Sequence, residues 1–324
     1  MPTDDWRVPK RQRPQPEDYS FDLEKAVSSV VGITSRIPED AFTAETLGTE
    51  RAGHGVVIDA RGVILTIGYL ISEAEEVWVK TADGRLNPGH VLAYDQESGF
   101  GLVQALARLN APALTIGDSS QARTGDHVVV AGAGGLERCV AAEIVAIQEF
   151  AGYWEYVLDD AIFTAPAHPN WGGTALIDGR GELIGIGSLH LEQSRDKDDS
   201  QHVNMIVPIN LLKPIYDDLR RYGRRNSPAK PWLGVYATEV DDRLVIVGRS
   251  QRGPARRADL RNGDVLVAVG GHAVQSLAGF YRRLHMQGEA GAEIPLTIYR
   301  DGKVMEVTVK SGDRTSMFKP PQMH

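Results

Sequence analysis

From Val30 to about Leu189 the chain is written in short β-branched runs separated by turns, with no long helical stretch between them. Gly55 to Ile58, Val63 to Leu65, Glu76 to Lys80, Gly101 to Val103, His127 to Ala131, Tyr156 to Leu158 and Leu183 to Ile186 each have strand length and strand composition. Asp59-Ala-Arg-Gly62, Ala82-Asp-Gly-Arg85 and Asp178-Gly-Arg-Gly181 supply the Asp/Gly turns between them. Strands at this spacing close into barrels or pack as sandwiches, and they exclude a βαβ winding.

The pattern changes after this region. Ile209 to Tyr222 has helical spacing, with Leu212, Ile215, Tyr216 and Leu219 on one face, Asn210 as a cap and Gly223 as a stop. The domain organisation expected is therefore an arm over 1–20, a β-rich domain with a C-terminal helix over 21–222, a basic linker over 223–230, a second domain over 231–312 and a tail over 313–324. The arm is rich in proline and charge and lacks apolar periodicity, so it reads as disordered. A net charge of −8 excludes a general nucleic-acid binder. No run approaches a membrane span, and the first 20 residues hold no secretory apolar core, which sets the expectation of a cytoplasmic protein, with the periplasm as the alternative for a mature or truncated form. The single cysteine, Cys139, excludes a disulfide within the chain and reads as a packed thiol.

Three segments of the first domain have the frame of catalytic boxes. They are Gly53-His-Gly-Val-Val-Ile-Asp59 followed by Leu65-Thr-Ile-Gly-Tyr-Leu-Ile71, then Asp95-Gln-Glu-Ser-Gly-Phe-Gly-Leu-Val103, then Pro169-Asn-Trp-Gly-Gly-Thr-Ala-Leu176. They resemble the boxes of the trypsin-like HtrA/Deg family, which read roughly G-S-G-V-I-I-D and T-N-x-H-V-V, D-x-x-x-D-L-A-L-L, and P-G-N-S-G-G-P-L. The resemblance implies a mainly β fold, a two-barrel chymotrypsin-like domain followed by a PDZ domain, with the barrel boundary near Ala113 to Asp118. It also places Tyr69 where the family has its histidine, Gly99 where it has its aspartate and Gly172 where it has its nucleophilic serine.

Those three substitutions set the functional expectation. A serine hydroxyl attacks only when a base takes its proton, and histidine does so near neutrality when an aspartate holds its tautomer. Tyrosine ionises near 10 and glycine offers nothing, so the vestigial positions Tyr69, Gly99 and Gly172 leave no catalytic residue. The chain is accordingly expected not to be an enzyme but an inactive homologue, a peptide-binding or regulatory module. Two alternatives stay open: an active serine endopeptidase with a rearranged site, and a structural subunit that co-assembles with an active homologue. His54, His168, Ser98, Ser119, Ser120 and Ser188 lie near the boxes but fall at no recognisable nucleophile–base spacing. Trp171 either lines a peptide groove or packs on the barrel. No metal or cofactor is expected, because the nine histidines are scattered and no phosphate-cradling loop is present.

Within 231–312, Pro231 to Val235, Gly253 to Leu266, Val269 to Val274 and Leu296 to Lys303 are similar in order to a PDZ domain of the HtrA type. The resemblance implies that Trp232, Leu233, Gly234 and Val235 form a carboxylate-binding loop and that the strand Val235 to Val240 pairs with a ligand backbone. Phe280 and Leu284, on a helix from Ser276 to Leu284, would face an apolar ligand side chain. The expected partners are protein C-termini or extended peptides; the alternative is a PDZ fold that docks only on its own protease body. The resemblance further implies a trimer, or a hetero-oligomer with an active homologue, through Tyr19 and Phe21, which otherwise cover the barrel base. The arginines around Gly253-Pro254 read as a solvated face or as an attraction for acidic partners.

Overall fold

The computed structural model describes residues 6–196 and 199–319. The chain separates into two compact units, Met1–Gln148 with Asp160–Arg225 and Lys319–His324, and Glu149–Asp159 with Asn226–Phe318.

Two closed barrels of six strands make up the first unit. The first holds β1 (Val30–Arg36), β2 (Glu50–Asp59), β3 (Val63–Ile67), β4 (Glu76–Lys80), β5 (Leu86–Tyr94) and β6 (Phe100–Ala105), in the order β1-β2-β3-β6-β5-β4. Alternation explains its inside and outside: in β4, Val77 and Val79 are buried while Glu76, Trp78 and Lys80 face out. The second barrel holds β7 (His127–Ala131), β8 (Cys139–Gly152), β9 (Tyr156–Ala165), β10 (Ala175–Ile177), β11 (Leu183–Asp196) and β12 (Asp199–Pro208), in the order β10-β11-β12-β9-β8-β7. Val128, Val130, Val140, Ile144, Ile162, Leu176, Ile184 and Ile206 fill its core.

The expectation of a disordered arm is corrected over its described part, Trp6 to Ser20; residues 1–5 lie outside the described residues. Val8 joins the core of the second barrel at 1% exposure. Its amide donates to the Glu137 carbonyl at 2.8 Å, and Arg13 bridges the Val8 carbonyl and the Glu137 carboxylate. One apolar side chain with a long-range seat outweighs the polar composition around it. The tail is ordered through a short turn, Arg314–Met317, capped by Asp313; residues 320–324 lie outside the described residues. The single helix expected over Ile209 to Tyr222 is instead a turn, Ile209–Leu211, and a helix, Tyr216–Tyr222. Pro214 lacks the amide needed to continue the helix between them. Gly223 ends it at φ 71°, as its freedom in the left-handed region allows.

The second unit is built on β13 (Val235–Val240), β14 (Arg243–Arg249), β15 (Val265–Val269), β16 (His272–Ala273), β17 (Glu293–Arg300) and β18 (Lys303–Lys310). The sheet order is β13-β14-β15-β17-β18, with β16 paired to β15, so β13 is an edge strand. The helix Leu277–His285 is capped by Ser276, whose hydroxyl accepts from the Gly279 amide at 3.1 Å. Its Phe280, Tyr281 and Leu284 are buried with Leu233, Val235, Ile246, Leu266 and Leu296 in one core. The hairpin tip between β8 and β9 belongs to this unit, and its Ala151 and Val157 pack against that core.

Candidate functional site

Two loops carry the residues singled out in the sequence, one in each unit. In the first unit, the turn holding Gly172 is pinned by backbone bonds: the His54 amide donates to the Gly172 carbonyl and the Gly173 amide to the Gly187 carbonyl, each at 2.8 Å. Gly173 has φ 80°, and a Cβ there would lie 1.9 Å from the His54 carbonyl oxygen, so this close approach admits only glycine. Tyr69 sits in the turn Gly68–Leu70 that follows β3. A Cβ at Gly172 would lie 2.6 Å from the Tyr69 hydroxyl, so the phenol fills the space a side chain at 172 would enter. That hydroxyl donates to the Ser188 carbonyl at 3.1 Å and is itself hydrogen-bonded by Trp171. Burial pushes the phenol well above its ordinary range, so it stays neutral and cannot act as a base. Gly99 has φ 80°; its carbonyl accepts from the Gly68 amide at 2.7 Å, which ties it to the turn carrying Tyr69. The structure thus brings positions 69, 99 and 172 into one neighbourhood.

The other candidates nearby hold structural bonds. His54 Nδ1 accepts from the Ala133 amide at 3.1 Å, and the ring also interacts with the Asn170 backbone. His168 Nε2 contacts the Arg138 carbonyl at 2.9 Å and Nδ1 accepts from the Asn170 amide at 3.1 Å. Burial pushes His54 down to about 3 and His168 down to about 4, so both rings are neutral near pH 7. Ser98 donates to Asp95, which also receives the Arg225 guanidinium through two bonds. Ser120 donates to Asp118 and Ser119 accepts from the Asn210 amide. Trp171 packs against His190, with ring centroids 5.3 Å apart. Cys139 is buried, its thiol pushed up to about 12 by that burial, and it donates to the Gly135 carbonyl. Tyr19 and Phe21 meet edge to face at 5.4 Å.

In the second unit, the loop Trp232–Val235 presents a row of amides. Gly234 has φ 76°, and a Cβ there would press on the Gly253 backbone and the Trp232 ring at 3.0 Å. That conformation turns the amides of Leu233, Gly234 and Val235 toward one point. They donate to the Glu155 carboxylate at 3.1, 2.6 and 2.9 Å. Convergent backbone amides of this kind make an anion seat. Two residues earlier, the Tyr153 carbonyl accepts from the Ala237 amide of β13 at 3.2 Å. On the helix side, the Glu155 amide donates to the Tyr281 hydroxyl at 3.1 Å, and that hydroxyl donates to the Gly152 carbonyl at 2.8 Å. Phe280 and Leu284 are fully buried in the core of this unit with Leu233 and Val235. Burial raises the Glu155 carboxyl to about 7, against the lowering effect of the three amides and of Arg314. Sequence reasoning missed Glu155, which takes φ 60° at the hairpin tip, because its amide partners lie about 80 residues away in the chain.

Comparison with known proteins matches residues 53–186 to the trypsin-like peptidase domain and residues 231–311 to the PDZ domain. A probable periplasmic serine endoprotease, DegP-like, of Halomonas elongata is 28% identical over 81% of this chain and 56% of its own length. A probable periplasmic serine protease, do/HhoA-like, of Haemophilus influenzae is 29% identical over 80% of this chain and 57% of its own. The chain thus spans little more than half the length of these two relatives. It spans 88% of serine endoprotease DegS of Escherichia coli, which is 24% identical over 93% of this chain. Among solved structures, the HtrA-type protease AlgW with decapeptide shares the fold at a TM-score of 0.55, with 21% identity over 93% of this chain and 98% of that one.

Two expectations are corrected here. The chain was expected not to be an enzyme, but the relatives that match along most of its length are named serine endoproteases, which points to an enzyme. The substitutions at 69, 99 and 172 do not by themselves show loss of activity. A cytoplasmic location was expected, but several of the relatives are named periplasmic, which points away from the cytoplasm. Among the described residues no helix is long and apolar enough to cross a membrane. The chain therefore carries a trypsin-like peptidase domain ahead of a PDZ domain, with DegP-like and DegS homologues and with an HtrA-type protease sharing its fold.

Proposed function

We propose that this chain binds protein C-termini or extended peptides through its PDZ domain. In this reading Trp232, Leu233, Gly234 and Val235 form the carboxylate seat, β13 pairs with the ligand backbone, and Phe280 and Leu284 back the apolar wall. The observation that carries it is the loop Leu233–Val235, whose three amides already hold a carboxylate. A direct test uses fluorescein-labelled decapeptides ending in valine, leucine or phenylalanine, each as the free acid and as the C-terminal amide. Free acids should bind the full chain and amides should bind at least about tenfold more weakly, since each loses charge-assisted hydrogen bonds. Equal binding of acid and amide would reject the carboxylate seat.

A second reading is peptide hydrolysis by a rearranged site, favoured by the serine endoprotease names of relatives that match over 80% to 93% of the chain. In this reading Tyr69, Gly99 and Gly172 stand where the family has its histidine, aspartate and serine, and the attacking hydroxyl comes from elsewhere. A fluorophosphonate probe should then label one serine stoichiometrically, located by mass spectrometry, alongside casein cleavage. Absence of both would remove it. Assembly through Tyr19 and Phe21, into a trimer or with an active homologue, is the remaining partner proposal. Native mass spectrometry of the chain alone and of the chain co-expressed with an HtrA homologue would reveal it, and monomers under both conditions would refute it.

A further inference from the structure

We infer that the peptide groove of the PDZ domain is filled by the chain's own β8–β9 hairpin, with Glu155 as a tethered stand-in for a C-terminal carboxylate, so that a peptide binds only by displacing it. The inference rests on the carboxylate-binding reading above and names what that seat holds before a ligand arrives.

The hairpin meets the groove at each point a ligand would use. Its carboxylate takes the Leu233, Gly234 and Val235 amides. Its backbone joins the edge strand through Tyr153 and Ala237, which is how an extended peptide adds to a sheet edge. On the helix wall, Tyr281 bonds both the Gly152 carbonyl and the Glu155 amide. The guanidinium of Arg314 lies close enough to favour the charged carboxylate but donates to the Trp154 carbonyl at 2.8 Å, while the three amides supply the hydrogen bonds to the carboxylate. Glu155 also holds φ 60°, a conformation that a residue with a side chain keeps only when its surroundings fix it. Arg282 on the helix Leu277–His285 clamps the base of the hairpin from both strands, pairing with Glu149 and Asp159.

An occupant tethered in the same unit competes at an effective concentration far above that of a free peptide. The dissociation constant a peptide shows is therefore the intrinsic one divided by the fraction of molecules with the seat empty, so binding is weakened.

The test measures the free-acid and amide decapeptides against the full chain, the wild type beside Glu155→Ala and Glu155→Gln. Glu155→Ala should tighten free-acid binding by about tenfold or more, with Glu155→Gln in between because its amide still offers one acceptor. Equal affinity of the wild type and Glu155→Ala would overturn the competition while leaving the carboxylate seat standing. Failure of the free acid to bind either protein, or equal binding of acid and amide, would overturn the seat and the competition with it. Hydrogen exchange on the unmodified chain needs no variant. Saturating free-acid peptide should speed exchange of the Glu155 amide while the Leu233 to Val235 amides stay protected. A Glu155 amide that keeps its protection with peptide bound would overturn the inference.

Discussion

The loop around Gly172 and the loop Leu233–Val235 are both filled, but in different ways. At Gly172 the space of an absent side chain is taken by the Tyr69 ring, which holds its place by burial and by neutral hydrogen bonds to Ser188 and Trp171. At Leu233–Val235 an anion seat is taken by a carboxylate on a hairpin tip, through three amides. The first occupant sits in the turn Gly68–Leu70 that follows β3, its hydroxyl enclosed and bonded within the same unit. The second sits on a hairpin of two strands, and in the proposed reading its contacts are those a peptide terminus replaces. A filled site is therefore not one kind of feature: what matters is whether another molecule can make the same bonds the occupant makes.

The largest expected effect tests the rigidity of the first loop. Gly173→Ala places a Cβ 1.9 Å from the His54 carbonyl oxygen at φ 80°, which combines a left-handed penalty with a backbone clash. We expect a loss of about 4 kcal/mol in the first unit, read by urea unfolding. A loss under about 1 kcal/mol would show that the loop yields as easily as the hairpin, and the contrast would fail.

Next in size is the pH dependence of the second site. Burial raises the Glu155 carboxyl from its ordinary 4.5 to about 7, with Arg314 and Tyr281 the ionisable groups that face it. The docked hairpin thus takes up a proton that a released hairpin does not. Its stability is fully present below about 4.5 and is lost as pH rises through about 7. The difference amounts to about 3 kcal/mol, read as faster exchange of the Glu155 amide at pH above 7 than in acid once intrinsic rates are removed. Glu155→Gln should flatten this profile. A wild-type profile as flat as the variant's would show that the carboxyl does not titrate in the seat.

Much of this was legible in the sequence, and the reason lies in range. Val77 and Val79 alternate with Glu76, Trp78 and Lys80, so β4 could be read from five residues. The loop Trp232–Val235 could be read because its glycine and apolar neighbours are local. The missed features are set by distant partners. Val8 is ordered by strands more than a hundred residues away. Glu155 meets amides about 80 residues on in the chain, and nothing in Gly152 to Tyr156 distinguishes a ligand from an ordinary hairpin tip. At Gly172 the resemblance implied a serine in the family's frame, but only the three-dimensional arrangement places the Tyr69 hydroxyl where a side chain at 172 would enter.

That filling is open to a smaller test. Gly172→Ala sets its Cβ 2.6 Å from the Tyr69 oxygen but 3.5 Å from the ring carbon bearing it. Removing the oxygen turns a clash into an ordinary contact. Gly172→Ala alone should cost about 2 kcal/mol, and in a Tyr69→Phe background about 1 kcal/mol less, a coupling measured by a double-mutant cycle in urea. No coupling would mean that the hydroxyl does not occupy the space.

The smallest effect separates the hairpin's clamp from its ligand. Arg282 pairs with Glu149 and Asp159, but the three side chains are 48%, 44% and 78% exposed. Exposed pairs contribute little, because water screens the charges and long side chains lose freedom to meet. Arg282→Ala should therefore loosen the hairpin by under about 1 kcal/mol and raise free-acid peptide affinity by about twofold, a gain that added salt should erase. Glu155→Ala should act through enclosed amide bonds and keep most of its larger gain at high salt. If Arg282→Ala matched Glu155→Ala in size, the hairpin would be held by its charged base, and Glu155 would be a passenger in a seat that something else keeps closed.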